Sequence, residues 1–141
     1  MRNPVDNRKL LIIDEDDRWR ERLAESLSAL GFEVDTLGRY EYPRWKTRKP
    51  PTYYDLVILG CQNVTDREWE LIHQLLEDKS HLLVLSVHVS SARMRKLFLA
   101  GVDDVAEKSY DMSRITAIVL QTLDDITPRD SYELVRQRGA S

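Results

Sequence analysis

Short apolar runs alternate along this chain with longer stretches in which apolar residues recur every third or fourth position. Runs of this length that are rich in leucine and β-branched residues are typical of buried strands, and the periodic stretches are typical of amphipathic helices. The alternation predicts an α/β fold, in which a parallel sheet carries crossover helices on both faces. Five strands are expected, at Leu10 to Ile13, Phe32 to Thr36, Leu56 to Leu59, Leu82 to Leu85 and around Val105.

Several helix ends are also marked in the sequence. Apolar residues repeat along one face of residues 19 to 30, and Gly31 suits the left-handed residue that stops a helix. Thr65, with Glu68 three residues later, predicts a capping box at the start of another helix. Thr127-Pro128 is typical of a cap followed by a first-turn proline, so we expect a separate short helix that leads out of the domain.

Length and composition favour one soluble domain. The 141 residues divide into a tail at 1–8, a domain at 9–125 and a C-terminal extension at 126–141. A net charge of −3 gives no overall attraction to nucleic acid or to an anionic membrane. No apolar stretch approaches the roughly 20 residues of a membrane span. The charged N-terminus lacks the apolar run of a secretory signal, and the lone Cys61 cannot form an internal disulfide, so we expect a cytoplasmic protein.

The motifs at the predicted strand ends resemble those of the receiver domain of bacterial two-component response regulators, over about residues 9 to 123. The resemblance rests on LLIIDEDD at 10–17, GFEV at 31–34, YDLVIL at 54–59, LLVLS at 82–86, AGVDD at 100–104 and Glu107-Lys108. It implies a doubly wound, five-stranded parallel sheet of the flavodoxin-like type with strand order 2-1-3-4-5. It also implies a pocket at the carboxyl ends of the strands, where open α/β sheets place their ligands.

The resemblance gives four residues of this chain a place in that pocket. Asp14 and Glu15 match the two acidic residues that hold a magnesium ion, since a hard cation prefers carboxylate oxygens. Ser86 matches the hydroxyl that contacts the phosphoryl oxygens, and Lys108 matches the lysine that pairs with the phosphate or with the acidic residues.

The fifth member of the pocket is missing. Where the family has the aspartate that accepts the phosphoryl group, this sequence has Gly60, which has no side chain to form an acyl phosphate. The loop that follows, Cys61 to Thr65, also differs from the family pattern, and Val87 and Val105 replace the usual small residue and the aromatic switch. We therefore expect a receiver-like domain that is not phosphorylated at the usual site.

Simpler interpretations of the pocket residues stay open. The acidic run from Asp14 can be a solvated turn in which Asp16 or Asp17 caps the first helix, and a weak Mg²⁺ site on Asp14 and Glu15 is the alternative. Lys108 is expected as a salt-bridge partner of this turn, Ser86 as a buried hydroxyl and Cys61 as a small apolar side chain. His73, His81 and His88 lack the convergent spacing of metal ligands.

Residues 39–49, here called the basic–aromatic stretch, form a second candidate site. Basic side chains mixed with aromatic rings favour a protein-binding surface, and less often a platform for single-stranded nucleic acid. A solvated helix with Trp45 packed on the sheet is the alternative, and Pro43 would make that helix start after it. The candidate surface residues are Arg39, Tyr40, Tyr42, Arg44, Trp45, Lys46 and Arg48, with Lys49 beyond them.

The combined prediction is an atypical receiver domain that works in signal transduction by binding a protein partner, or a second copy of itself, and is not an enzyme. Two alternatives remain: a response regulator phosphorylated at another carboxylate such as Asp14 or Glu15, and a nucleic-acid-binding module that uses the basic–aromatic stretch. A nucleotide-dependent enzyme is disfavoured because the first strand is followed by the acidic run DEDD and not by a glycine-rich phosphate loop.

Overall fold

The computed structural model describes residues 8–48 and 53–139, with side chains as far as residue 126. Its five strands form one parallel sheet in the order β2-β1-β3-β4-β5, which confirms the predicted fold and strand order. The elements are β1 Lys9–Ile13, α1 Asp17–Ala29, β2 Glu33–Leu37, a 3-10 turn Arg39–Glu41, α2 Tyr42–Trp45, β3 Leu56–Cys61, α3 Asp66–Glu77, β4 Leu82–Ser86, α4 Ser91–Ala100, β5 Asp104–Glu107 and α5 Met112–Gly139.

The sheet is buried on both faces, and each strand divides its residues between two cores. Successive side chains of a strand point to opposite faces, so alternate residues meet different helices. Leu10, Ile12 and Ile58 pack with α1 and α5. Leu11 and Leu59 pack on the other face, with α2, α3 and α4. This two-sided burial explains why the strands read as continuous apolar runs in the sequence.

The predicted helix ends are largely confirmed. Asp16 is the N-cap of α1 and its carboxylate accepts a hydrogen bond from the Trp19 amide at 3.1 Å. Gly31 follows that helix with φ 100°, a left-handed conformation that favours glycine. Thr65 and Glu68 form the expected capping box of α3.

Two predictions about helices are wrong. No new helix begins at Thr127-Pro128, because α5 runs without interruption from Met112 to Gly139 and Pro128 lies inside it, where it removes one backbone hydrogen bond of the helix. The helix at Pro43 does not start after the proline either, since α2 begins at Tyr42 and the proline occupies its first turn, where its missing donor costs nothing. No helix among the described residues is long and apolar enough to cross a bilayer.

Candidate functional site

The strand register places Asp14 beside Gly60 at the carboxyl edge of the sheet. Ile13 pairs with Leu59, so the next residue of each strand lies at the same level. A methyl group built on Gly60 would overlap Oδ2 of Asp14 and would lie 3.1 Å from Cζ3 of Trp19. The space that a side chain at position 60 would occupy is therefore filled by a carboxylate and an indole ring.

Asp14 and Lys108 form a buried ion pair in that space. Nζ of Lys108 lies 2.8 Å from Oδ2 of Asp14, and each side chain is 3% exposed. The other carboxylate oxygen accepts a hydrogen bond from the Asp16 amide at 2.9 Å. The ammonium group also lies 4.7 Å from the ring centroid of Trp19, a cation–π contact. The lysine that the family resemblance assigns to phosphate is thus neutralised by protein groups.

Trp19 closes the pocket from the side of α1. The residue is fully buried, and its indole Nε1 donates a 2.7 Å hydrogen bond to the carbonyl of Ser109. Next to it the Tyr110 hydroxyl donates a hydrogen bond to the Asp16 carboxylate. This hydrogen bond lowers the pKa of Asp16 and raises the pKa of Tyr110. Two contacts therefore hold the β5–α5 loop against the β1–α1 loop and the first turn of α1.

A second charged cluster, Glu15–Arg39–Glu68, lies at the rim of the same edge. Arg39 is paired with Glu15 at 2.9 Å and also with Glu68. The Glu68 carboxylate is buried; burial alone would raise its pKa, but hydrogen bonds from the Thr65 hydroxyl and amide and the charge of Arg39 outweigh burial and lower it. Arg39 therefore joins the loop after β1 to the first turn of α3.

Ser86 and Cys61 face backbone and apolar neighbours. The Ser86 hydroxyl lies within donor distance of two carbonyls, those of Gln62 at 3.1 Å and His88 at 2.9 Å. It therefore links the loops after β3 and β4. Cys61 is buried in β3, and burial raises the pKa of its thiol to about 11, so the thiolate is scarce at neutral pH.

The residues that the resemblance assigns to magnesium do not fit a divalent cation in this arrangement. Asp14 is paired with Lys108, and Glu15 is paired with Arg39. Position 60 supplies no carboxylate. Within the described part of the chain, no three side chains of the His, Cys, Asp and Glu types are grouped as metal ligands would be. His81, for example, has its ring Nδ1 3.3 Å from the Asp103 carboxylate, and the ring of His73 lies tilted against Trp69 with ring centroids 5.4 Å apart.

The basic–aromatic stretch is divided between core and surface. Tyr42 is a correction to the predicted partner surface, because it is fully buried and its hydroxyl donates to Asp78 at 3.1 Å. Trp45 is half-buried and stacks on Tyr54 with ring centroids 5.5 Å apart, as the alternative of packing on the sheet implied. Tyr40, Arg44 and Arg48 are exposed, whereas Arg39 is mostly buried in its ion pairs. Lys46 lies 3.7 Å from Asp78, and Lys49 lies outside the described residues.

Two residues that shape the pocket, Trp19 and Glu68, were not among the predicted site residues. Trp19 was expected only as a member of an inward helix face, and Glu68 only as half of a capping box. Their positions could have indicated this role. Trp19 and Glu68 lie in the first turns of α1 and α3, and those turns begin at the carboxyl edge of a parallel sheet.

Several solved structures with the same architecture are receiver domains or response regulators. The non-phosphorylated HemR receiver domain from Leptospira biflexa has a TM-score of 0.72 and 16% identity over 83% of this chain and 94% of its own. A two-component response regulator from Clostridium difficile has a TM-score of 0.70 and 22% identity, over 84% and 97%. A response regulator from Burkholderia pseudomallei, with a phosphorylated aspartic acid and a calcium ion, has a TM-score of 0.67 and 18% identity, over 90% and 75%.

These similarities define a class of fold. The chain has the fold of response-regulator receiver domains, a five-stranded flavodoxin-like sheet of the CheY-like kind. Neither a protein-family model nor a curated protein matches the sequence. At these identities the likeness concerns the fold, and function rests on the site.

Proposed function

We propose that this chain is a non-enzymatic, receiver-like binding module of a signalling pathway, and that it works without aspartyl phosphorylation. The observation that carries the proposal is the filled space at Gly60, into which the Asp14 carboxylate and the Trp19 ring project. A receiver pocket must admit a phosphodonor and a metal ion beside a nucleophilic carboxylate. Here position 60 has no carboxylate, and its neighbours leave no room for one.

The other carboxylates at this edge are poor substitutes for the missing nucleophile. Asp14 is 2% exposed and faces the ammonium group of Lys108, so a phosphodonor has no path to its oxygens. Glu15 is half-exposed, but it lies at the rim in an ion pair with Arg39. Phosphorylation at either residue would break a charge pair that the fold uses, which argues against the alternative of a non-standard phosphoacceptor.

The ion pair also supports a signalling role that is independent of phosphate. A phosphorylation switch works when the added phosphoryl charge gains a partner in one of two conformations of the domain. Lys108 already has its partner in Asp14, and the loop that follows it is held by Trp19 and by Asp16. A receiver-like domain fixed in this way presents one surface to its partner at all times.

Phosphodonor treatment tests the proposal. The purified chain is incubated with acetyl phosphate and Mg²⁺ beside a receiver domain that has a phosphorylatable aspartate, and intact mass is followed with time. We expect the control to gain a base-labile phosphoryl group and this chain to remain unmodified. A phosphoryl group on Asp14 or Glu15 that disappears in Asp14→Asn or Glu15→Gln would overturn the proposal.

A further inference from the structure

Two clefts border the exposed ring of Tyr40; together they are called the Tyr40 groove here. One cleft, of about 270 Å³, lies between the β2–α2 region and α3, is walled by Tyr40, Pro43 and Leu71 and is bordered by Arg67. The other, of about 290 Å³, is lined by residues of the 3-10 turn, of α2 and of the segment after α2, from Tyr40 to Arg48. Tyr40 itself is 62% exposed, a large fraction for an aromatic ring that no described element covers.

The Tyr40 groove is basic although the chain as a whole is acidic. Four arginines and two glutamates line its two clefts, in a protein of net charge −3: Arg39, Arg44, Arg48, Arg67, Glu41 and Glu70. The ion pairs found among the described residues leave Arg44 and Arg48 without a carboxylate partner. Both guanidinium groups are exposed; Arg44 lies in α2, and Arg48 lies just after it.

Neighbouring groups hold the Tyr40 side chain in place. Its hydroxyl accepts a hydrogen bond from Arg39 at 2.5 Å and another from Arg67 at 3.1 Å. The Arg39 guanidinium also lies 4.7 Å from the ring centroid. Arg39 in turn is fixed by the carboxylates of Glu15 and Glu68. A rigid, exposed aromatic ring loses little conformational entropy on binding, which is a property of interface anchors.

From this combination we infer that the Tyr40 groove binds an acidic peptide segment of a partner protein, a segment that also carries an apolar side chain. The carboxylates of the segment would meet Arg44 and Arg48, and the apolar side chain would enter the cleft between Tyr40, Pro43 and Leu71. The inference rests on the proposed function as a binding module and supplies its surface and the chemistry of its partner.

The same features disfavour a single-stranded nucleic acid in the groove. Base stacking needs successive aromatic rings with free faces. Trp45 already stacks on Tyr54, and Arg39 lies over Tyr40. A peptide segment does not depend on stacked rings, so these contacts do not exclude it.

The test uses three fluorescein-labelled probes of equal length and the full chain in fluorescence anisotropy. The first probe is a peptide of Asp, Glu and Leu, the second has Asn and Gln in place of the acids, and the third is oligodeoxythymidine. We expect saturable binding of the acidic peptide and little binding of the other two. No binding of the acidic peptide at low salt, or tighter and groove-dependent binding of the oligonucleotide, would overturn the inference.

A matched pair of double variants tests the location. Arg44→Gln/Arg48→Gln removes the two unpaired guanidinium groups, and Arg22→Gln/Arg95→Gln removes two exposed arginines from α1 and α4 with the same change of net charge. We expect the first to weaken binding of the acidic peptide about tenfold and the second to leave it nearly unchanged. An equal loss in both would mean that binding follows overall charge, and the inference would fail.

Treatment with acetyl phosphate and Mg²⁺ separates this inference from the function on which it rests. If the chain becomes phosphorylated and binding of the acidic peptide changes, the phosphate-independent function fails while the groove stands. If the chain stays unmodified and no variant of the groove affects binding, the groove fails while the proposed function stands.

Discussion

The residues that follow β1 and β5 differ from those at the ends of β3 and β4, which lie between these two strands in the sheet. After β1 and β5, Asp14 and Lys108 stand where the family resemblance places them, and they neutralise each other at 2.8 Å. At the ends of β3 and β4, position 60 has no side chain and the Ser86 hydroxyl is turned to backbone carbonyls. Asp14 and Lys108 thus have each other as partners, and the position that the resemblance assigns to the phosphoacceptor has no side chain.

The difference has a physical reason. A buried charge without a partner costs free energy, so removing either member of a buried ion pair destabilises the fold. A carboxylate at position 60 would overlap Asp14 and would place a second negative charge beside it. The buried pair therefore gives Asp14 and Lys108 a structural role, in agreement with the proposed function.

The largest expected effect comes from breaking the buried ion pair between Asp14 and Lys108. Lys108→Met leaves the buried Asp14 carboxylate without its cation, and we expect the free energy of unfolding to fall by about 3–5 kcal/mol. Urea denaturation of the variant and the wild type measures the loss. The matched control is Asp14→Asn/Lys108→Met, which removes both charges and should recover most of the stability. If the double variant were no more stable than Lys108→Met, the pair would not be the cause.

A carboxylate introduced at position 60, near the end of β3, should have the next largest effect. Gly60→Asp places a side chain in space that Asp14 and Trp19 occupy and adds a like charge, so we expect a loss of about 2–4 kcal/mol without metal. Gly60→Ala is the control that meets the same overlap without the charge. Thermal unfolding with and without Mg²⁺ should show stabilisation by the ion in Gly60→Asp alone.

Two outcomes would contradict this account of position 60. Wild-type stability in Gly60→Ala would mean that the space is open and not filled by Trp19 and Asp14. An equal response of both variants to Mg²⁺ would mean that restoring the carboxylate does not rebuild a cation site beside Asp14.

Much of the architecture was predictable from the sequence because strands that are buried on both faces of a parallel sheet appear as short apolar runs. Apolar runs indicated the central strands, and the resemblance to receiver domains implied that Asp14, Gly60 and Lys108 would share one edge of the sheet. The pairing of Lys108 with the acidic turn was expected, but the pairing of Arg39 with Glu68 was not, since these two residues are 29 positions apart and meet only through the path of the β2–α2 loop. The burial of Tyr42 was hidden for a related reason: it lies among basic surface residues in a short helix without a repeating pattern.

The rim cluster Glu15–Arg39–Glu68 offers the smallest and most pH-sensitive effect. Glu68→Gln keeps an acceptor for Thr65 but removes the charge that faces Arg39, and we expect a loss of about 1–2 kcal/mol at neutral pH. Because the folded protein lowers the pKa of Glu68 below its ordinary value of 4.5, its contribution is complete above that pH and disappears as the pH falls through the folded value. The wild type should therefore approach the stability of Glu68→Gln only in acid, as urea denaturation between neutral pH and pH values below 4.5 would show.

Glu70→Gln, an exposed neighbour on the same helix, should leave the pH profile unchanged. A constant difference between wild type and Glu68→Gln across that range would mean that Arg39 and Glu68 do not interact through charge, and that the rim is held only by the contacts of the pocket below it.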